Sequence, residues 1–189
     1  MTTSAGLVVF RVRAGRLQML LGHMGGPFWA RKDDGAWSIP KGELSEDEDP
    51  FAASLREYTE ELGHAPPDGP VIELGETRQR PGKRLVAFAV EGDFDPAQLA
   101  AGTFELEWPP RSGRLETFPE IDRVAWFDLA SARRKIVQGQ AVLLERLAER
   151  ISAGEAAATT GSRPDLPADP PPAPRLCSAS SRGGSRRGR

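Results

Sequence analysis

Ala5 to Val12 reads AGLVVFRV, an almost unbroken apolar run rich in β-formers, and predicts a strand buried on both faces. Ala14-Gly15-Arg16 predicts a tight turn, and Leu17 to Gly22 the returning strand of a hairpin. The pattern then breaks. His23 to Gly35, HMGGPFWARKDDG, predicts a loop, and a loop of this length in a compact domain is often functional. Within it, Phe28 and Trp29 either stack on a base or cover the edge of the core, and His23 sits at a strand end. Trp37 to Pro40 predicts a short strand, and Lys41-Gly42 a turn.

From Asp49 the period changes to that of a helix. Asp49 suits the N-cap, Pro50 the first helical position, and Gly63 the residue just past the end. Phe51, Leu55, Tyr58 and Leu62 form an apolar stripe. Glu57, Glu60 and Glu61 lie three and four residues apart, on another face. Adjacent carboxylates repel, each like-charge pair costing an isolated helix about 0.2–0.5 kcal/mol. Arg56 can pair with Glu60, but one arginine cannot neutralise three carboxylates, whereas a hard divalent cation with oxygen ligands can. A solvated acidic helix face is the alternative reading.

After Gly63 the chain returns to strand periodicity. Ala65 to Pro70 is a loop. Val71 to Arg80 and Leu85 to Glu91 predict antiparallel strands joined at Pro81-Gly82. Lys83 and Arg84 open the second of them, placed either to hold phosphates or to lie in a solvated turn. Asp95 and Pro96 predict one helical turn. Thr103 to Trp108 alternates Phe104, Leu106 and Trp108 with Glu105 and Glu107, a strand pattern that ends at Pro109-Pro110. Arg111 to Arg114 predicts a basic loop and Val124 to Phe127 a last strand. Asp128 begins a helical stretch to Gln138, and Ala141 to Ile151 is amphipathic through Val142, Leu143, Leu147 and Ile151. Beyond Ala153 little can bury apolar area. From Arg163 onward six arginines face two aspartates. This divides the chain into a domain over 1–153 and a disordered basic tail over 154–189. The tail is expected to make at most weak nucleic-acid contacts. Strands, a helix, strands and a closing helix define the class as α+β.

Composition excludes several classes. A formal net charge of −2 gives no overall pull toward nucleic acid or a membrane. No run approaches the length of a membrane span. The single cysteine, Cys177, cannot form an intrachain disulfide, which suits a reducing compartment. With no recognisable signal peptide at its start, the chain is expected in the cytoplasm.

The helix and its approach carry a longer pattern. Gly42, Glu48, Arg56-Glu57, Glu60-Glu61 and Gly63 stand at the spacing G-x5-E-x7-R-E-U-x-E-E-x-G-U, with Tyr58 at the first apolar position U and His64, a departure, at the last. This resembles the Nudix box. The resemblance implies an α/β/α sandwich with a mixed sheet. It also implies a hydrolase acting on phosphoric anhydrides, in which water attacks phosphorus with the help of Mg²⁺, or Mn²⁺ as a substitute. By the same resemblance Glu57, Glu60 and Glu61 are metal ligands, the Lys41 carbonyl completes the site, Arg56 holds Glu60, and Glu48 braces the loop or joins the outer shell of the metal. The chain is closest in outline to the diadenosine tetraphosphate hydrolases and NTP pyrophosphohydrolases, through Trp37, Pro40, Lys41, Gly42, Lys83, Glu120 and Trp126. Glu120 is then the external ligand or base, with Glu105 and Glu107 as rivals, while Lys83, Lys41 and Trp37 are the implied substrate contacts. The expected substrate is a nucleoside or dinucleoside polyphosphate. Alternatives are (d)NTP sanitising, nucleotide-sugar cleavage, or a non-catalytic nucleotide sensor.

Overall fold

A computed structural model describes residues 2–80 and 82–154. The tail from residue 155, including Cys177, and Pro81 of the expected turn lie outside the described residues. Nine strands and three helices follow in the order β1 (Thr2–Arg13), β2 (Arg16–Met24), β3 (Trp37–Ser38), β4 (Lys41–Glu43), α1 (Pro50–Leu62), β5 (Val71–Arg80), β6 (Lys83–Glu91), β7 (Thr103–Glu107), β8 (Leu115–Pro119), β9 (Ile121–Asp128), α2 (Leu129–Lys135) and α3 (Ala141–Ser152). Asp95 caps a single 3₁₀ turn at Pro96–Gln98.

Seven strands form one mixed sheet with β1 at its centre. β1 runs parallel to β6 from Thr2↔Lys83 to Phe10↔Glu91. Its other edge is shared. Residues Phe10 to Arg13 pair with β2, whereas Ser4 to Gly6 pair with β4. The hairpin strands therefore part company, and β3 and β4 enter the fork. A side chain at Gly6 would press on Ile39 and the Pro40 carbonyl, so glycine lets the incoming chain lie against β1.

Each face of the sheet has its own core. On one, Val8, Phe10, Met19 and Leu21 meet Leu143, Leu144 and Leu147 of α3 and Ala132 of α2. On the other, Leu7, Val9 and Leu20 meet Tyr58 and Leu62 of α1, with Phe51 and Leu55 packed partly buried beside them. The result is a mixed sheet between helices. Helix α1 forms as its sequence predicts: Asp49 Oδ1 accepts from the Ala52 N–H at 2.9 Å, and Gly63 takes the left-handed conformation (φ 76°). No helix among the described residues is long and apolar enough to cross a membrane.

One buried group in this core lacks a partner. The Tyr58 ring is fully buried, and its hydroxyl makes no hydrogen bond. Burial alone pushes that hydroxyl's pKa up. An orphaned buried donor costs about 1–3 kcal/mol. Tyr58→Phe is expected to raise the melting temperature without changing turnover, which thermal unfolding and a single kinetic assay would check.

Candidate active site

The residues that converge do so where β1 and β2 fork. The loop from β4 to α1 is tied down by Arg56. Its Nε donates to Glu48 Oε1 at 2.8 Å and one terminal nitrogen to Glu48 Oε2 at 2.9 Å, a two-pronged pair. That nitrogen also reaches the Glu43 carbonyl at 3.2 Å. The other terminal nitrogen donates to Glu57 Oε1 at 2.6 Å and Glu60 Oε2 at 3.1 Å. Glu48 also accepts the Ser45 N–H at 2.9 Å. These hydrogen bonds, the Arg56 one first, hold its carboxyl down to about 2. Glu48 thus braces the loop and faces the arginine. A Cβ at Gly42 would stand 1.9–2.2 Å from the Glu57 carboxylate, so a side chain there would push that carboxylate from its place beside Arg56.

Glu61 sits on the inner side of α1. Burial pushes its pKa up to about 8. Lys41, through its charge and a backbone hydrogen bond, pulls it down, and Glu120 and Glu57 push it further up. Glu120 is raised as well, by burial and by the charges of Glu57 and Glu60. It comes from the short connection between β8 and β9, far from the helix in sequence. Four carboxylates therefore gather around Arg56 and Lys41. Among the described residues no group of three His, Cys, Asp or Glu side chains stands close enough to hold a metal ion as placed. Glu57 and Glu60 are drawn to Arg56, and 57% of the Glu60 side chain is exposed. The donors available to a cation are carboxylate oxygens, which suit a hard ion such as Mg²⁺ or Mn²⁺.

The acidic cluster borders a cleft of two lobes that share Met24, Trp29, Ser38 and Lys41. The smaller, 280 Å³, is lined by Glu61 and Glu120 and by Gly22, Phe104 and Ile121. The larger, 650 Å³, extends past Glu43, Gln79, Lys83 and Gln140. Lys83 Nζ donates to Glu43 Oε1 at 3.1 Å, an exposed pair. Gln140 is fully buried and stitches the fork together: its side-chain oxygen accepts from the Ile39 N–H at 3.0 Å, and its Nε2 donates to Ser38 Oγ at 3.0 Å.

The structure brings together Arg56, Glu57, Glu60, Glu61, Lys41 and Glu120, and puts Lys83 in the larger lobe. It does not bring Trp37 there. Trp37 is 4% exposed and packs edge-on to Phe127 and His23, with its indole N–H donated to Asp33 Oδ1 at 2.9 Å. A short strand with alternating faces sends that ring into the core, and Trp29 of the preceding loop lines the cleft instead. Glu105 and Glu107 lie on the exposed face of β7, and Glu107 accepts the Gly113 N–H. Neither lines the cleft. Trp126 packs on the α1 side of the sheet under the Arg11 guanidinium, 4.0 Å from its ring centre. His64, at the box's last position, sits 2.7 Å from the Gln98 carbonyl through Nε2 and edge-on to Phe94. It closes the end of α1 by packing on the 3₁₀ segment. Met24, Phe104, Gln79 and Gln140 were not foreseen as cleft residues. Only the alternation around Phe104 carried any signal.

The NUDIX domain profile matches residues 2–147, and the chain belongs to the Nudix family. Solved structures agree in fold. An Ap4A hydrolase from C. elegans, solved as a binary complex, is 18% identical, with 81% of this chain and 99% of that one covered and a TM-score of 0.53. The NUDIX domain of Shewanella oneidensis NrtR, complexed with ADP ribose, is 19% identical over 79% of this chain and 87% of that one, with a TM-score of 0.52. A mutT/nudix family protein from Listeria innocua is 18% identical over 82% and 96%, with a TM-score of 0.52. No curated protein matches the sequence. At these identities the structural likenesses speak for the fold alone.

Proposed function

We propose that this protein is a Mg²⁺-dependent hydrolase that cleaves a phosphoanhydride of a nucleoside or dinucleoside polyphosphate. The observation that carries this reading is Glu61, half-buried at the wall of a cleft that Glu120 also lines, where the charges of Glu120 and Glu57 add to its own. Such an arrangement is costly for the protein alone and suits a bound cation with an anionic substrate. Glu57, Glu60 and Glu61 would hold the metal, with the Lys41 carbonyl at the fork and Glu120 as the external ligand or base. When bound, the ion screens phosphate charge and lowers the pKa of a coordinated water. The chain's own groups do the rest. Arg56 and Glu48 fix the loop, Lys41 and Lys83 offer positive charge to phosphates, and Trp29 and Phe104 supply an apolar wall for a base. The cytoplasm remains the expected compartment.

The test is a release assay for phosphate and pyrophosphate across NTPs, dinucleoside polyphosphates and nucleotide sugars, with Mg²⁺, with Mn²⁺ and with EDTA. Metal-dependent turnover is expected, and none in EDTA. Tight nucleotide binding without turnover across that set would replace the reading with a sensor. Within the assay, Lys83→Ala is expected to raise KM about tenfold for chains of three or more phosphates and to leave kcat nearly unchanged, because it removes a charge-assisted contact worth about 1.5 kcal/mol. An equal KM for long and short phosphate chains in both proteins would assign Lys83 to a solvated turn.

A further inference from the structure

Glu120 is the one carboxylate of the cluster that α1 does not carry, so something else must place it. Its backbone is held on both sides: its N–H donates to the Gly102 carbonyl at 2.9 Å, and its carbonyl accepts the Gly25 N–H at 2.8 Å. Gly25 lies just past the end of β2. A Cβ there would stand 2.9 Å from the Pro119 carbonyl carbon and would overlap its oxygen. No side chain flexes out of that collision, because the obstacle is backbone. Next to this crossing the β2–β9 ladder slips. His23 pairs with Arg123 and Met24 with Ile121, leaving Asp122 without an opposite residue. Bulges of this kind re-aim neighbouring residues. This one is pinned from below by His23, fully buried, whose Nδ1 lies 2.8 Å from Asp122 Oδ1 and whose Nε2 lies 2.8 Å from the Lys32 carbonyl.

We propose that Gly25 and the His23–Asp122 pair are positioning residues for Glu120: the bulge turns the β8–β9 connection toward α1, and the bare Gly25 backbone lets it come close enough for the Glu120 carboxylate to reach Glu61 and Glu57. The inference rests on the reading of Glu120 as part of the hydrolytic site. It gives work to a buried histidine, and to a glycine that meets Glu120 through its backbone.

The test compares Gly25→Ala, Glu120→Gln and the double variant in the full chain, by kinetics and by a crystal structure of metal-free Gly25→Ala. A displacement of about 1 Å can cost about a hundredfold in rate, so Gly25→Ala is expected to lower kcat on that order with KM within about threefold. Added to Glu120→Gln it should cost nothing further, since both changes remove one group's contribution. A purely structural role for Gly25 would instead give additive losses. The crystal structure should show α1 in place and residues 119–120 drawn away from it. A slow Glu120→Gln beside a Gly25→Ala of near-normal kcat, with residues 119–120 unmoved, overturns the inference and leaves the functional reading intact. A normal Glu120→Gln overturns both this inference and the role given to Glu120. If Gly25→Ala does not fold, Asp122→Ala reads the other arm of the device: a loss confined to kcat supports it, and an unchanged kcat overturns it.

Discussion

Glu61→Gln is expected to lower turnover by at least about a hundredfold while the protein keeps its fold, an increase in barrier of about 2.7 kcal/mol or more. Glutamine keeps the size of the side chain and gives up the charge a cation would meet. The same variant carries a pH signature in EDTA. Between the ordinary glutamate value and about 8, the folded protein holds a proton on Glu61 that the unfolded chain has released. Stability of the metal-free protein therefore falls as pH rises through that window, by an amount on the order of a few kcal/mol for this group. Glu120, also raised, adds to the fall. Glu61→Gln removes most of it, so the variant should melt above the parent at pH 8 and close to it at pH 5. Thermal unfolding at the two pH values checks this; a parent protein no less stable at pH 8 would argue against a protonated Glu61.

Arg56→Ala should produce the largest loss of stability. The guanidinium binds Glu48 with two prongs, touches Glu57 and Glu60, and reaches the Glu43 carbonyl. Its removal leaves three carboxylates without their partner and frees the loop from β4 to α1. With about a third of the arginine exposed, a cost of about 2–3 kcal/mol is expected, less than the sum of its hydrogen bonds would suggest. Arg56→Lys should recover little, since an ammonium cannot reproduce the fork onto Glu48. The Glu48 carboxyl, held near 2 by Arg56, contributes stability above its ordinary value that is lost as pH falls toward 2. Arg56→Ala should weaken that acid sensitivity. Urea unfolding at pH 7 and pH 3.5 would show both effects.

The helix at the centre of the site was legible because its signals are local. Asp49, Pro50 and Gly63 mark its ends, and the apolar stripe finds the sheet it predicts. Strand ends were less legible. β1 starts at Thr2, not Ala5, since Thr2 to Ser4 are recruited by parallel pairing with Lys83 to Leu85, which no local pattern announces. The last strand likewise runs Ile121–Asp128, longer than its apolar centre from Val124 to Phe127. No local pattern marks β8. LETFP is half exposed and exists by pairing with β7 across the Pro109 to Arg114 loop. Trp37 was misplaced because a motif gives spacing, whereas the side of a two-residue strand is set by its neighbours. His23 fell at the end of a predicted strand and proved to be inside one, buried against Asp122, a residue 99 positions away.

The central place of β1 also bears on how the chain reaches this structure. Its residues Phe10 to Arg13 can pair early with β2, but its parallel partner β6 lies roughly eighty residues later, a delay of about 4–16 s at ordinary rates of synthesis. During that interval most of AGLVVF is unpaired in a segment of high β-propensity, the condition under which nascent chains associate with one another. The slow, non-local β1–β6 closure then becomes the step on which folding yield depends, and a charge at buried Ala87 or Ala89 would lower both the amount of folded protein recovered and its final stability.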